Sequence, residues 1–345
     1  MIAITNRNTA ADFLKGIAVI LMIQVHIIEL FATPEIIESN AGKLIMWLGG
    51  PPVAPLFAVI MGYFIAASAR TTKQLIVRGI KLFVLGMLLN AGLNLNLIIH
   101  VMQGTLQFDL LPFLFGVDIL QFAGLSIILT ALLRKITSQQ WYIFFLLAFL
   151  IAIIPDLFPK ITSLEEESPY IASFFYGASS WSYFPLIPWI SYPLTGIGFY
   201  HFQKQFSFSM VRKQMISLVM LILFSLFLFF TWNYSSKITS DLYSYYHHGI
   251  LFFSWTLAFL LFYCTLADML CKYIGNSYLG NYLKWLGNNV TLLYVTQWLI
   301  VGNTATVIYK TVSSGWILSF YIIGIVTVSS LIVFLITKRR RKQIA

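Results

Sequence analysis

Residues 10–32 read AADFLKGIAVILMIQVHIIELFA, a run in which only Asp12, Lys15, His26 and Glu29 can ionise. As a helix it rises about 34 Å, enough to cross the ~30 Å hydrocarbon core of a bilayer. It is too long for a signal-peptide core, carries charge inside its start and lacks a small-x-small cleavage site. It therefore reads as a first membrane span. The whole chain agrees: of 345 residues, 59% are hydrophobic and 10% charged, and the mean hydropathy is +0.83. A soluble globule needs about 25% charged residues to cover its surface. An aromatic content of 17% is the opposite of a disordered composition.

Nine further apolar runs follow, at roughly 51–69, 75–101, 108–133, 140–157, 183–203, 211–232, 249–268, 284–306 and 314–337. The expected fold is all-α: a polytopic transmembrane helix bundle of about ten spans, forming a single domain over residues 1–345. Eighteen of the 22 Lys and Arg fall in alternate inter-span segments, and only Lys43, Lys160, Lys237 and Lys310 in the others. The positive-inside rule then places both termini in the cytoplasm. The basic tail Lys338-Arg339-Arg340-Arg341-Lys342 is expected against anionic headgroups. The +10 net charge belongs to this asymmetry, so no nucleic-acid partner is expected. Cys264 and Cys271 lie in one apolar run, about 10 Å apart along a helix. That is too far for a bridge. No metal-ligand spacing is present, and no metal is expected.

Ionisable groups at membrane depth are costly and therefore informative. Lys15 and His26 are eleven residues apart, close to three turns, so they share a face about 16 Å apart in rise. Glu29 follows one turn later on a neighbouring face. A cation thus leads along one helix face to a titratable imidazole, which suits an anionic ligand; a histidine bonded only to a neighbouring helix is the plainer alternative. Arg78 and Lys81 suit either a phosphate or the inner membrane rim. Asn90, Asn94, Asn96 and His100 continue their span as a polar stripe, or as glue between helices. Asp118, one turn before Gln121, needs a partner, for which Lys15, Arg78 and His26 are in reach. Gly49-Gly50-Pro51-Pro52 suggests a bent start to the second span at the outer surface. Pro185, Pro188 and Pro193 imply a broken sixth span lining a cavity or buried in protein. His247 and His248 are neighbours on different faces, which disfavours one shared metal.

Asp12-Phe13-Leu14-Lys15-Gly16 followed by an apolar run to His26 resembles the first span of the transmembrane acyltransferases. These include acyltransferase family 3 and the heparan-alpha-glucosaminide N-acetyltransferase-like proteins. Three more segments are similar: Pro55-Leu56-Phe57 through Gly62, Phe184-Pro185-Leu186-Ile187-Pro188-Trp189 with Gly196, and Trp285-Leu286-Gly287-Asn288-Asn289 through Tyr294. Lys15 stands where the pattern has arginine. Gln297 stands where relatives often have histidine.

The resemblance implies transfer of an acyl group from cytoplasmic acetyl-CoA (acyl-CoA), a co-substrate, to a sugar or amino-sugar acceptor on the outer side. His26 would act as general base or acyl carrier, with Asp118 and Glu29 beside it. Lys15, Arg78, Lys81 and Arg134 would face the donor's phosphates. Asp12, Asn90, Gln121, Trp189, Asn289 and Tyr294 would face substrate. The implied setting is a bacterial inner (plasma) membrane, with lipid as a partner and a homodimer compatible with it. A transporter or flippase, or a non-catalytic scaffold, are the competing classes. Release of free CoA thiol separates them from an enzyme.

Overall fold

A chain that crosses lipid must satisfy its N–H and C=O groups within each segment, and helices do this. The structure, a computed structural model, describes residues 9–136, 140–158, 169–176, 179–206 and 210–344. Arg7, Lys160 and Glu165–Glu167 lie outside the described residues. In chain order the longer helices are α1 (Thr9–Phe31), α2 (Asn40–Gly49), α3 (Ala54–Ala67), α4 (Thr72–Leu93), α5 (Ile119–Ile136), α6 (Trp141–Ala152), α7 (Ser191–Gln205), α8 (Met210–Ser240), α9 (Ile250–Ile274), α10 (Tyr278–Asn288), α11 (Val290–Ile308) and α12 (Gly315–Ile344). Among the described residues there is no strand, only isolated bridges joining Ala32 to Val312 and Val117 to Ser182. The chain is an all-α polytopic membrane bundle.

Each apolar run of the sequence carries a helix. Among the described residues, seven helices are long and apolar enough to cross a membrane by length and composition, including Thr9–Phe31, Asn40–Ala67 and Gly315–Arg340. The fourth, fifth and sixth runs give shorter ones, for local reasons. Pro112 opens a separate turn, Leu111–Leu114, before α5. Pro155 opens a second helix just after α6. In the sixth run Ile187 is extended (φ −102°, ψ 123°) inside Leu186–Trp189, and α7 keeps 15 residues.

Two expectations need correction. Gly50-Pro51-Pro52 is not the start of a span: it is a buried break between α2 and α3, inside the one candidate span Asn40–Ala67. The ninth run is not one helix, because the chain turns at Asn289 between α10 and α11. The Asn289 amide donates to the Trp285 carbonyl at 2.8 Å, which satisfies a group the break sets free.

Lipid tails are as apolar as leucine, so the helices hold together by close packing. A Cβ on Gly16 would strike the Leu283 backbone, and one on Gly287 would strike the Asp12 carbonyl. These two reciprocal contacts lock α10 across the start of α1. Gly62 and Gly196 do the same for α3 and α7, against the backbones of Pro193 and Val59. Elsewhere rings fill the space: Trp47 meets Trp232 and Phe259, with centroids 5.4 and 5.3 Å away. The indoles of Trp47 and Trp255 donate to Ser235 and Thr231 at 3.1 and 2.9 Å. α1 is central, packing against α2, α10, α11 and α12.

Candidate functional site

α1, α3, α4, α5, α11 and α12 enclose a cavity of about 590 Å³. Chain direction defines its two ends. α12 starts beside the end of α1, where Val312 pairs with Phe31 and Ala32, so the two helices run antiparallel. Lys15 near the start of α1, Arg78 near the start of α4 and Arg340 near the end of α12 therefore line one end. Glu29 near the end of α1, Asp118 at the start of α5, and Tyr245 and Tyr246 line the other. His26 lies between, one turn from Glu29. The buried Gly50 break and the Asn289 break both form wall, as irregular backbone at membrane depth must line a cavity or be buried in protein.

The His26 Nδ1 lies 3.3 Å from Gln297 Oε1. With the Gln297 oxygen facing the ring, Nδ1 is the donor and Nε2 keeps its lone pair. No described residue hydrogen-bonds Nε2. The ring also packs on Trp298, with centroids 4.2 Å apart and planes at 32°. One face of α11 thus sets the imidazole's tautomer and orientation. Asp118 and Glu29, expected beside His26, share the cavity with it but do not make that contact.

The partner of Asp118 is a correction to the expected cation or histidine. Tyr294 donates its hydroxyl to one carboxylate oxygen, and the Ile119 N–H reaches the other at 2.6 Å. Asp118 sits just before α5, where a helix start supplies free N–H groups and positive dipole. The stretch before it is pinned: Val117 N–H donates to the Trp181 carbonyl at 2.8 Å, and its carbonyl accepts from Phe184 N–H at 2.9 Å. Glu29 has no hydrogen bond or ion pair among the described residues.

Lys15 lies 2.8 Å from Asp12 and 5.8 Å from the centroid of the Phe64 ring. Its charge is therefore matched one turn away. Lys81 is exposed and outside the cavity. Arg134 donates to the Ile65 carbonyl at 3.1 Å, capping the end of α3 rather than lining the cavity. Asn289 is part of the wall.

Asn90, Gln121 and Trp189 lie behind the wall. The Asn90 amide donates to the Leu114 and Gly116 carbonyls at 3.0 and 2.8 Å, and Gln121 donates to Gly116 at 3.3 Å. Both hold the segment that presents Asp118. Trp189 is fully buried and donates to the Tyr246 carbonyl at 2.8 Å. Asn90→Ala takes the side-chain donor from the Leu114 carbonyl and one of two donors from the Gly116 carbonyl, which keeps Gln121, and is expected to destabilise the protein by about 1–3 kcal/mol. Thermal unfolding in detergent measures that loss.

His248 is a buried structural histidine. Its Nδ1 donates to the Tyr245 carbonyl at 2.7 Å, and its Nε2 accepts from the Tyr192 hydroxyl at 2.9 Å. Among the described residues no group of three or more His, Cys, Asp or Glu is arranged to hold a metal. Cys264 and Cys271 are free thiols.

Sequence reading singles out Gln297 only as a departure, passes over Trp298 and Tyr245, and assigns Arg340 with the rest of the tail to lipid headgroups. One signal was present: Tyr294, Gln297 and Trp298 fall at i, i+3 and i+4, one helix face.

A family model described as "Heparan-alpha-glucosaminide N-acetyltransferase, catalytic" matches residues 7–231. No curated protein and no solved structure matches the chain. The matched region carries Lys15, His26, Glu29, Arg78 and Asp118; the α11 and α12 residues of the cavity lie beyond it.

Proposed function

Because the chain belongs to the heparan-alpha-glucosaminide N-acetyltransferase catalytic family, we propose that it moves an acetyl group from acetyl-CoA to the amine or hydroxyl of a sugar acceptor. The observation that carries this reading is the order of groups along one cavity. Cations stand at one end, carboxylates at the other, and an imidazole with a free Nε2 between them. A thioester donor is anionic at its nucleotide end and neutral at its reactive end. The basic end takes the phosphates, and the slim pantetheine arm reaches inward to His26.

His26 Nε2 is the general base. It takes the proton from the acceptor's nitrogen or oxygen as that atom attacks the thioester carbonyl. The C–S bond then breaks, and the departing thiolate recovers the proton from the imidazolium. Glu29 and the Asp118–Tyr294 pair meet the acceptor. With the α1-start end in the cytoplasm, as the Lys and Arg distribution favours, acetyl-CoA arrives from inside and the acceptor from outside. This fits a bacterial inner membrane.

The test is release of CoA thiol by the purified protein in detergent, with and without a panel of amino sugars and neutral sugars. Acceptor-dependent release, with acetyl appearing on the sugar, is the expected result. Sugar movement into vesicles without thiol release would replace this reading with a transporter.

Gln297 is a positioning residue in this scheme. Gln297→Leu frees the imidazole to adopt the wrong tautomer. Its kcat is expected to fall roughly ten- to a hundredfold, well short of losing the imidazole itself. The KM for acetyl-CoA stays unchanged, and Gln297→Asn or Gln297→Glu restores part of the rate. A pH–rate profile distinguishes this from a packing defect, because only loss of the Nδ1 partner moves its limb.

A further inference from the structure

The basic tail carries one side chain that departs from the rest. Thr337 and Arg340 both line the cavity, and they are three residues apart on one face of α12. That face is fastened to the bundle: Val333, one turn earlier, is fully buried, and Ser330 meets the Tyr282 hydroxyl at 2.8 Å. Lys338 belongs to a different face. It lies over Phe334 at 6.0 Å from the ring centroid, and Phe334 is half exposed, as a lipid-facing ring would be.

Arg78, near the start of α4, lines the same cavity. Neither Arg78 nor Arg340 has an ion pair or a hydrogen bond among the described residues, whereas Lys15 is matched by Asp12. Two guanidinium groups with no partner among the described residues therefore line one cavity, from α4 and from α12, and both are open to solvent. Arginine presents a planar fork of donors that fits phosphate oxygens two at a time, which an ammonium cannot do.

We propose that Arg340 and Arg78 form a phosphate clamp at the cavity mouth, which binds the nucleotide end of the acetyl-CoA donor. This rests on the acetyl-CoA reading above and adds a residue from the far end of the chain, outside the family-matched region. Anionic lipid is the competing source of the same phosphate chemistry.

The experiment compares full-length wild type and Arg340→Gln with two donors: acetyl-CoA, and S-acetylpantetheine, which has the same thioester but no phosphate. It is run in vesicles of phosphatidylcholine alone and of phosphatidylcholine with phosphatidylglycerol. Expected is a rise of about tenfold in KM for acetyl-CoA, since a charge-assisted contact is lost. The KM for S-acetylpantetheine stays the same, in both lipids. Arg340→Lys recovers part of the affinity, and Lys338→Gln changes neither donor's KM.

An equal rise for both donors, or none for acetyl-CoA, overturns the clamp. So does a rise seen only with phosphatidylglycerol, which would make Arg340 a lipid anchor. CoA binding by wild type, measured by displacement of labelled CoA, separates the two levels. Wild type that neither binds CoA nor releases thiol overturns the enzyme reading as well. Wild type that does both while Arg340→Gln matches it overturns the clamp alone.

Discussion

His26→Ala is expected to lower acceptor-dependent thiol release by about a thousandfold, within the usual range for a lost general base. The donor's affinity is expected to change by no more than about twofold, because an interaction made only in the transition state lowers kcat and leaves ground-state binding alone. The reasons are local. Gln297 meets the ring at Nδ1 and Trp298 packs on its face, and in the proposed scheme Nε2 serves the acceptor. His26→Gln keeps a polar side chain of similar reach and is expected to be just as slow, since an amide cannot accept the proton. The measurement is thiol release alongside CoA displacement on the same preparations. A His26→Ala enzyme that keeps more than about a tenth of the rate would move the base elsewhere, and Glu29 would be the next residue to change. A donor-only burst of acetyl on the protein, absent in His26→Ala, would instead make His26 the acyl carrier.

The second large effect is on the scaffold. Gly16→Leu places a side chain where the Leu283 backbone already sits. Backbone cannot rotate away as a side chain can, so α10 must shift off α1. The expected cost is about 3 kcal/mol or more, at the upper end for overpacking, and enough to lose most folded protein from detergent solution. Gly324→Leu is the control: it sits on α12 with nothing within 4 Å of an added Cβ, and it is expected to leave the unfolding temperature unchanged. Fluorescence-detected size exclusion and thermal unfolding read both variants. Equal behaviour of the two would mean that α10 does not lock onto α1 as described.

The class of fold was legible because lipid imposes one rule on every residue of a span. Residues 10–32 announce a helix whatever they later touch, and α1 covers Thr9–Phe31. The breaks were legible where proline makes them, as at Ile187-Pro188. They were less plain at Asn289, where Gly287-Asn288-Asn289 holds residues that end helices but the apolar pattern runs on past them. The site divides in the same way. Spacing along one helix was enough to relate Lys15, His26 and Glu29. It could not show that Lys15 is matched by Asp12, since a carboxylate three residues away can equally turn aside. Nor could it join His26 to Gln297, which lie 271 residues apart. Asn90, Gln121 and Arg134 have the chemistry of binding residues and use it on backbone carbonyls, a choice made only when the chain has folded.

The glycine contacts also bear on how fast such a protein can work. A carrier that rocks must slide one group of helices past another at every cycle, and the close backbone approaches at Gly16 and Gly287, and at Gly62 and Gly196, tie α1 to α10 and α3 to α7 as two pairs. Each pair is expected to move as one body. On the acetyl-transfer reading, turnover is then expected to be governed by the bond exchange at the imidazole or by the escape of CoA, with little contribution from sliding within these pairs. Solvent viscosity and bilayer thickness, which slow large motions, are expected to leave its rate nearly untouched.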